Sequence, residues 1–289
     1  MDVKNFDTKE ENTWCPGCPN FSILQALKMA LTELVNNKTL EHKDIAIAAG
    51  VGCHGKIFDY INVNGFYGLH GRPLPVCLGM KVANPELTSM AFSGDGDAYA
   101  EGVSHFIHAC RYNDDVKLIV HNNKVYALTT GQASPTSEKG FVGGSMPKGA
   151  LDQPLNPIFL ALASGASFVA RGYALDIEHL KSLMIEAINH KGFALLDVLQ
   201  PCITYHNVIP YLHSRVYKLD QTHDQTDLQS AIEKALEWDY SLDQNAKIPI
   251  GVFYKKQRPT FLDQRPEVTK AYYTIKRKVD FEQTIKEFR

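Results

Sequence analysis

The sequence predicts an α/β fold, a doubly wound, mostly parallel sheet flanked by helices. Two observations predict it. Short apolar runs alternate along the middle of the chain with segments of helical periodicity, as βαβ units do. Polar residues suited to ligand binding, Asp95 and Asn123, directly follow two successive runs, at the carboxyl ends where open α/β sheets bind ligands.

In chain order, residues 21–36 carry apolar side chains at helical spacing. Residues 44–49 read as a buried strand ending at Gly50, and 89–93 as a second. Residues 98–111 form a helix leading to a third strand, 117–121. Asn156-Pro157 is an N-cap with proline at the first helical position, opening a short helix to Ala163. Strands follow at 167–170 and 193–199. Between them Asp176 caps a helix to about His190, stopped by Gly192. A further amphipathic helix spans 226–238. Residues 248–254 are expected at a sheet edge, because Pro249 has no amide for a central ladder. The segment 128–152, rich in Gly, Ser, Thr and Pro, is a long loop of the kind that carries function or meets a partner. The expected organisation is one domain over 1–254 and a charged tail or arm over 255–289 that contacts a partner subunit.

With 289 residues, 44% hydrophobic and 21% charged, the chain is neither disordered nor of low complexity. A chain of this length buries roughly three quarters of its unfolded surface and needs no disulfides. A net charge of −2 removes the electrostatic case for nucleic acid. The longest clean apolar stretch, 158–170, is too short to span a membrane and is broken by Ser164 and Gly165. The first residues are polar and acidic, unlike a signal peptide, so the expected location is the reducing cytoplasm. Six cysteines there read as core residues, metal ligands or redox groups.

Gly94-Asp95-Gly96-Asp97 follows the second strand, and Asn122-Asn123 the third. A carboxylate and a carboxamide oxygen at neighbouring strand ends are hard ligands suited to Mg²⁺. Gly94 and Gly96 permit close backbone approach, and the helix after Asp97 points its positive end at the site, which favours a diphosphate. Asp97 itself reads most simply as that helix's cap, or as a diphosphate contact through water.

Cys15 and Cys18 form a Cys-x-x-Cys pair before the first helix, while Cys53 and Cys202 follow the first and fifth strands. Four thiolates could converge there. A redox dithiol, a structural Zn²⁺ and a [4Fe–4S] cluster all use such residues. One local pair plus two distant singles suits a cluster between loops better than zinc, which usually gathers two local pairs. Cys77 and Cys110 read as core residues, and His105 and His108, three apart on a helix, as packing or exposed groups.

The separation of Gly94-Asp95-Gly96 from Asn122-Asn123 resembles the thiamine diphosphate signature. With Trp14-Cys15-Pro16-Gly17-Cys18, Gly50 to Cys53, His70-Gly71-Arg72, Lys81 to Pro85, Gly131 to Thr136 and Gln200-Pro201-Cys202, the chain resembles the β subunit of a 2-oxoacid:ferredoxin oxidoreductase over nearly its whole length. The resemblance implies a thiamine diphosphate-binding fold. It implies Asp95, Asn123 and the carbonyl of Val125 as Mg²⁺ ligands, and Cys15, Cys18, Cys53 and Cys202 as ligands of one [4Fe–4S] cluster. Gly52, His70, Arg72, Gly94, Gly96, Asp97 and Tyr126 would line the cofactor pocket. Lys56 would face the substrate carboxylate, and Leu128 and Thr130 would lie on the substrate side. Two departures stand out. Pro19 follows Cys18 where glycine is usual, and Thr130 stands where many members have Gly or Lys, which leaves the choice of 2-oxoacid open.

The implied activity is coenzyme A-dependent oxidative decarboxylation of a 2-oxoacid, or its reverse, with electrons passing through the cluster to ferredoxin. The carboxylate that activates the cofactor comes, in this family, from an α subunit (or a fused α–γ chain), so this chain alone is expected to be catalytically incomplete. Two other readings use the same residues. A non-oxidative thiamine-dependent decarboxylase or acyloin synthase subunit keeps Asp95 and Asn123 but has no use for four thiolates. A zinc-stabilised, non-catalytic assembly subunit uses the thiolates but not Asp95.

Overall fold

The computed structural model describes residues 1–265, 268, 270–274 and 280–288. The helices are α1 (Asn20–Asn36), α2 (Ile57–Tyr60), α3 (Pro73–Ala83), α4 (Val103–Tyr112), α5 (Pro157–Ala163), α6 (Ile177–Asn189), α7 (Ile209–His213), α8 (Leu228–Ala235) and α9 (Phe281–Glu287). The strands are β1 (Ile45–Ala49), β2 (Asn64–Tyr67), β3 (Thr88–Gly94), β4 (Val116–Asn122), β5 (Phe168–Tyr173), β6 (Ala194–Leu199), β7 (Val216–Lys218) and β8 (Ile248–Lys255).

Among the described residues these strands form one sheet in the order β2-β1-β3-β4-β6-β5-β8-β7. The first six run parallel. Their central members are buried at nearly every position and each carries an apolar stretch, as strands covered on both faces do. Alternate side chains feed two cores. Ile45, Ile47, Phe92 and Ile119 pack with α1, α2 and α6 on one face. Ala48, Ala91, Leu118 and Val120 pack with α3, α4, α5 and α8 on the other. The doubly wound arrangement read from the sequence is therefore the observed one.

Caps place the helices. The Asn156 side chain accepts the Phe159 amide at 3.1 Å, and the Asp176 carboxylate accepts that of His179 at 3.2 Å. Three expectations change. The edge strand at 248–254 is not at the edge: β8 lies between β5, antiparallel to it, and β7. Pro249 is tolerated because it lies beyond the residues paired with β5. On its other side it stands opposite Tyr217, between bonds made by Ile248 and Ile250. The helix expected from 226 opens at Leu228, because the Asp227 carboxylate accepts the amides of Gln229 and Ser230. The helix expected from 98 starts as a π turn, Asp97–Glu101, in which the Gly102 amide reaches the Asp97 carbonyl at 3.0 Å; α4 follows. Among the described residues no helix is long and apolar enough to cross a membrane.

Candidate active site

β1 and β3 are neighbours, but their onward connections part. β1 continues through α2 on one face to β2, and β3 through α4 on the other face to β4. The crevice at their carboxyl ends is the topological switch point, where sheets of this kind bind ligands. Because β1, β3, β4 and β6 lie side by side, the loops carrying Cys53, Asp95, Asn123 and Cys202 leave the same sheet edge.

One cavity at this edge is lined by Gly52, His70, Gly94, Asp95, Gly96, Asp97, Asn123, Val125, Tyr126 and Leu128, most of the residues that the sequence singled out for the cofactor, its metal and the substrate. Arg72 lies beside it and donates to the Glu101 carbonyl at 2.8 Å. Thr130 holds an exposed, left-handed conformation (φ 79°) at the loop that borders it.

Asp95 is buried, and the Thr136 hydroxyl approaches its Oδ2 at 2.7 Å, joined by the hydroxyl of Ser134. Burial pushes the Asp95 carboxyl up, against the pull of these two hydroxyls; a bound cation would reverse that balance. Asn123 turns its Oδ1 onto the Val125 amide at 3.1 Å, which orders the turn. Between them Lys124 takes a left-handed conformation (φ 60°), and its buried ammonium holds the Tyr240 carbonyl and, at 3.3 Å, Glu138.

Asp97 does not cap a helix. The residue at the cap is Gly96, and Asp97 is a buried hub. It accepts the Gly71 amide and the Ser93 hydroxyl, and stands 3.2 Å from His54 Nε2 and 3.3 Å from His70 Nδ1. Burial alone would raise its carboxyl, but the His54 contact and the two donors outweigh it and hold it low. The reason lies in close approach: a β-carbon on Gly94 would stand 2.7 Å from His54 Nδ1, so His54 fits over the strand end only because Gly94 has none.

Cys15, Cys18, Cys53 and Cys202 line a second cavity of about 200 Å³, together with Trp14 and Lys56. All four thiols are free. Each of three sulfurs receives a weak donor: Thr204 Oγ1 reaches Cys15 at 3.5 Å, Gln200 Nε2 reaches Cys18 at 3.8 Å, and the Tyr205 amide reaches Cys202 at 3.4 Å. Burial first, then the charge of the other three cysteines, push the Cys18 thiol up to about 11, although the Asn20 amide favours its thiolate. Burial and the neighbouring Cys202 likewise raise Cys53, opposed by the charge of Lys56. Crowded thiols of this kind are relieved by a cationic centre. Among the described residues no three His, Cys, Asp or Glu side chains form a ready site for one metal ion. Four cysteines around one cavity are a donor set of the kind that a structural zinc ion or an iron–sulfur cluster uses.

Lys56 lines the cysteine cavity, not the first one, and its Nζ donates to the Thr13 carbonyl at 3.1 Å. Cys53, Asn123, Ala127 and Leu128 line both cavities, so one layer of residues separates them. Cys77 and Cys110 are buried in apolar core, as expected, and burial pushes the Cys77 thiol up to about 12. His108 is exposed and stacks on Tyr112, while His105 is half-buried. The sequence reading did not single out His54, Ser134 or Thr136 as site groups. The last two lie inside the Gly131 to Thr136 motif, which was the available signal.

Two family models match the chain. The C-terminal, TPP-binding domain of thiamine pyrophosphate enzymes covers residues 50–198, and the C-terminal region of the pyruvate ferredoxin oxidoreductase β chain covers 202–270. The chain is 42% identical to the 2-oxoacid:ferredoxin oxidoreductase subunit beta of Saccharolobus solfataricus, over 97% of both chains. The chain belongs to the β subunits of the 2-oxoacid:ferredoxin oxidoreductases. Another member, 2-oxoacid:ferredoxin oxidoreductase 1, subunit beta, of Aeropyrum pernix, is 41% identical over 94% of this chain and 87% of its own. A solved 2-oxoglutarate:ferredoxin oxidoreductase from Magnetococcus marinus, with 2-oxoglutarate, coenzyme A and succinyl-CoA bound, superposes with a TM-score of 0.90 at 28% identity, over 100% of this chain and 96% of that one. As an oxidoreductase β subunit the chain has the thiamine diphosphate-binding fold expected of it. These relatives favour that reading over the non-oxidative decarboxylase and over the zinc-stabilised assembly subunit.

Proposed function

We propose that this β subunit, with an α or fused α–γ partner, catalyses the coenzyme A-dependent oxidative decarboxylation of a 2-oxoacid to an acyl-CoA and CO₂, or the reverse, and delivers the electrons to ferredoxin. The observation that carries this reading is the shared wall: four cysteines line one cavity, and Cys53, Asn123, Ala127 and Leu128 also line the thiamine-side cavity. When bound, thiamine diphosphate supplies the electron sink for decarboxylation, and a [4Fe–4S] cluster takes up electrons singly.

The chain's own residues do the rest. Asp95, Asn123 and the Val125 carbonyl hold Mg²⁺, hard oxygen donors for a hard cation that also binds the diphosphate. Gly52, Gly94 and Gly96 let backbone approach the cofactor, with His70, Arg72, Asp97 and Tyr126 around it. Cys15, Cys18, Cys53 and Cys202 hold the cluster. Leu128 and Thr130 face the substrate side and help exclude water. Lys56 offers its charge to the substrate carboxylate from the cysteine side of the wall. The loop 128–152 and the arm 255–289 dock the partner subunit. Part of that arm lies outside the described residues, but α9 exposes Phe281 and Ile285, and its C-cap exposes Phe288. The site is proposed to work in the cytoplasm, where thiols stay reduced.

The test is metal and acid-labile sulfide analysis of the anaerobically purified complex with its α subunit. Iron and sulfide at about four each per β chain are expected, with a visible band bleached by reductant. Zinc in place of iron, or thiamine diphosphate bound without either metal, would sink the electron-transfer role.

A further inference from the structure

We propose that Asp197 is the positioning residue that aligns the two side-chain magnesium ligands, Asp95 and Asn123, an inference that rests on the magnesium reading above. Asp197 sits on β6, fully buried, and lines neither of the two cavities described above. Its carboxylate accepts three donors: the Tyr99 hydroxyl at 2.8 Å, the Asn122 amide at 3.1 and 3.3 Å, and the Tyr240 hydroxyl at 3.0 Å. Tyr99 lies in the π turn that directly follows Asp95 and Gly96, the first helical residues after β3. Asn122 is the last residue of β4, directly before Asn123. One carboxylate on a third strand thus grips the segments that carry both ligands.

The grip continues to Asp95 itself. The Thr136 hydroxyl stands 2.9 Å from Asn122 Oδ1 and 2.7 Å from Asp95 Oδ2. Behind Asp197, the Tyr240 hydroxyl accepts from Arg171 at 3.0 Å. The Arg171 guanidinium is fully buried, donates to the Pro249 carbonyl at 3.1 Å and lies 5.1 to 5.2 Å from the ring centres of Trp238, Tyr240 and Phe253. Its charge offsets that of the carboxylate. Stability does not account for such a network, since a buried charge pair is often matched or bettered by apolar residues of similar volume. Fixed geometry does: an ion that demands near-ideal octahedral ligands needs them held in register.

The experiment titrates Mg²⁺ in the presence of thiamine diphosphate against the complex stripped of both, by calorimetry, for wild type, Asp197→Asn and Tyr99→Phe. Asp197→Asn turns an amide toward the Asn122 amide and is expected to weaken Mg²⁺ about tenfold. Iron content should stay unchanged and kcat should recover at high Mg²⁺, while the melting temperature of the stripped complex falls because the buried Arg171 loses its counter-charge. Tyr99→Phe should shift the titration in the same direction by less. Unchanged Mg²⁺ affinity in folded Asp197→Asn overturns the proposal. So does weakening matched by lost iron, or by kcat that fails to recover at high Mg²⁺, which marks a general structural role. If Asp197→Asn does not fold, unchanged affinity in Tyr99→Phe overturns it. Wild-type binding of thiamine diphosphate that is indifferent to Mg²⁺ would instead sink the magnesium site and the proposal with it.

Discussion

The ring of Tyr126 occupies the space that a side chain at Gly96 would need: a β-carbon there would stand 2.2 Å from Tyr126 Cε1. Tyr126 is held in turn by Glu101, whose two carboxylate oxygens each lie 3.3 Å from its hydroxyl. Gly96→Ala must therefore displace the ring or the turn. Overpacking of this kind costs about 1–3 kcal/mol. The variant is expected to fold, by circular dichroism, and to bind thiamine diphosphate about ten- to a hundredfold more weakly by calorimetry. Unaltered binding would show that the ring is free to move.

On the proposed cluster reading, the cysteine cavity holds both ligands and groups that tune them. Cys202→Ser should lose most iron and sulfide from the complex. Thr204→Val removes only the hydroxyl 3.5 Å from Cys15 Sγ, so it should retain both. Donors to sulfur stabilise the more negative, reduced state. Thr204→Val should accordingly shift the cluster's potential to more negative values in an anaerobic redox titration followed by electron paramagnetic resonance. A shift to more positive values, or none, would remove Thr204 from the set of tuning groups.

His190 makes stability depend on pH. Its ring is buried against the Ser167 hydroxyl at 2.8 Å. Burial first, then the positive charges of Lys117 and Lys255, push its imidazole down to about 4, with Asp115 opposing. The unfolded imidazole titrates near 6.5. Between those values the unfolded chain takes up a proton that the folded chain refuses. The contribution is full above pH about 6.5, falls as pH drops toward about 4, and levels off below. Urea midpoints at pH 7 and pH 5 should differ less in His190→Gln than in wild type. An equal difference in both would assign the acid sensitivity elsewhere.

Thr130 is β-branched in a left-handed conformation at φ 79°. That conformation costs an L-residue about 1–2 kcal/mol, and glycine gives back about 0.5–1 kcal/mol through the unfolded state. Thr130→Gly should leave stability unchanged or raise it by up to about 1 kcal/mol. If the strained threonine shapes the substrate side, the ratio of kcat/KM between two 2-oxoacids should change. A constant ratio would place the specificity of this complex on other residues.

Much of the architecture was legible because the central strands are covered on both faces and so each shows a short apolar run between glycines and polar residues. β2 and β7 were not. Asn64-Gly65-Phe66-Tyr67 is exposed at every position, and Val216–Lys218 is too short to show any alternation. α3 hid behind Pro73 and Pro75, which look like helix breakers but stand in its first turn, where no amide is needed. The ligand candidates were legible because Gly94 to Asp97 and Asn122-Asn123 are local patterns. What holds them in place was not. Asp197, Tyr99 and Tyr240 meet across the sheet from distant parts of the chain. The local hints were Asp197 and Arg171, each a lone charge in an otherwise largely apolar strand. The position of Lys56 also escaped local reading, because its side chain follows the turn of Cys53 toward the thiols.

The π turn at Asp97–Glu101 sets a rule about length. It spends one residue more than an α-helical turn would over the same stretch. Deleting Ala100 would let the turn close with α geometry, so α4 would keep its phase and Phe106, Ala109 and Cys110 would still face the sheet. Deleting Ser104, inside α4 where no residue is spare, would instead rotate everything after it by about 100° about the helix axis and turn those three side chains away. The π turn thus absorbs a change of length that α4 itself would pass on as a rotation.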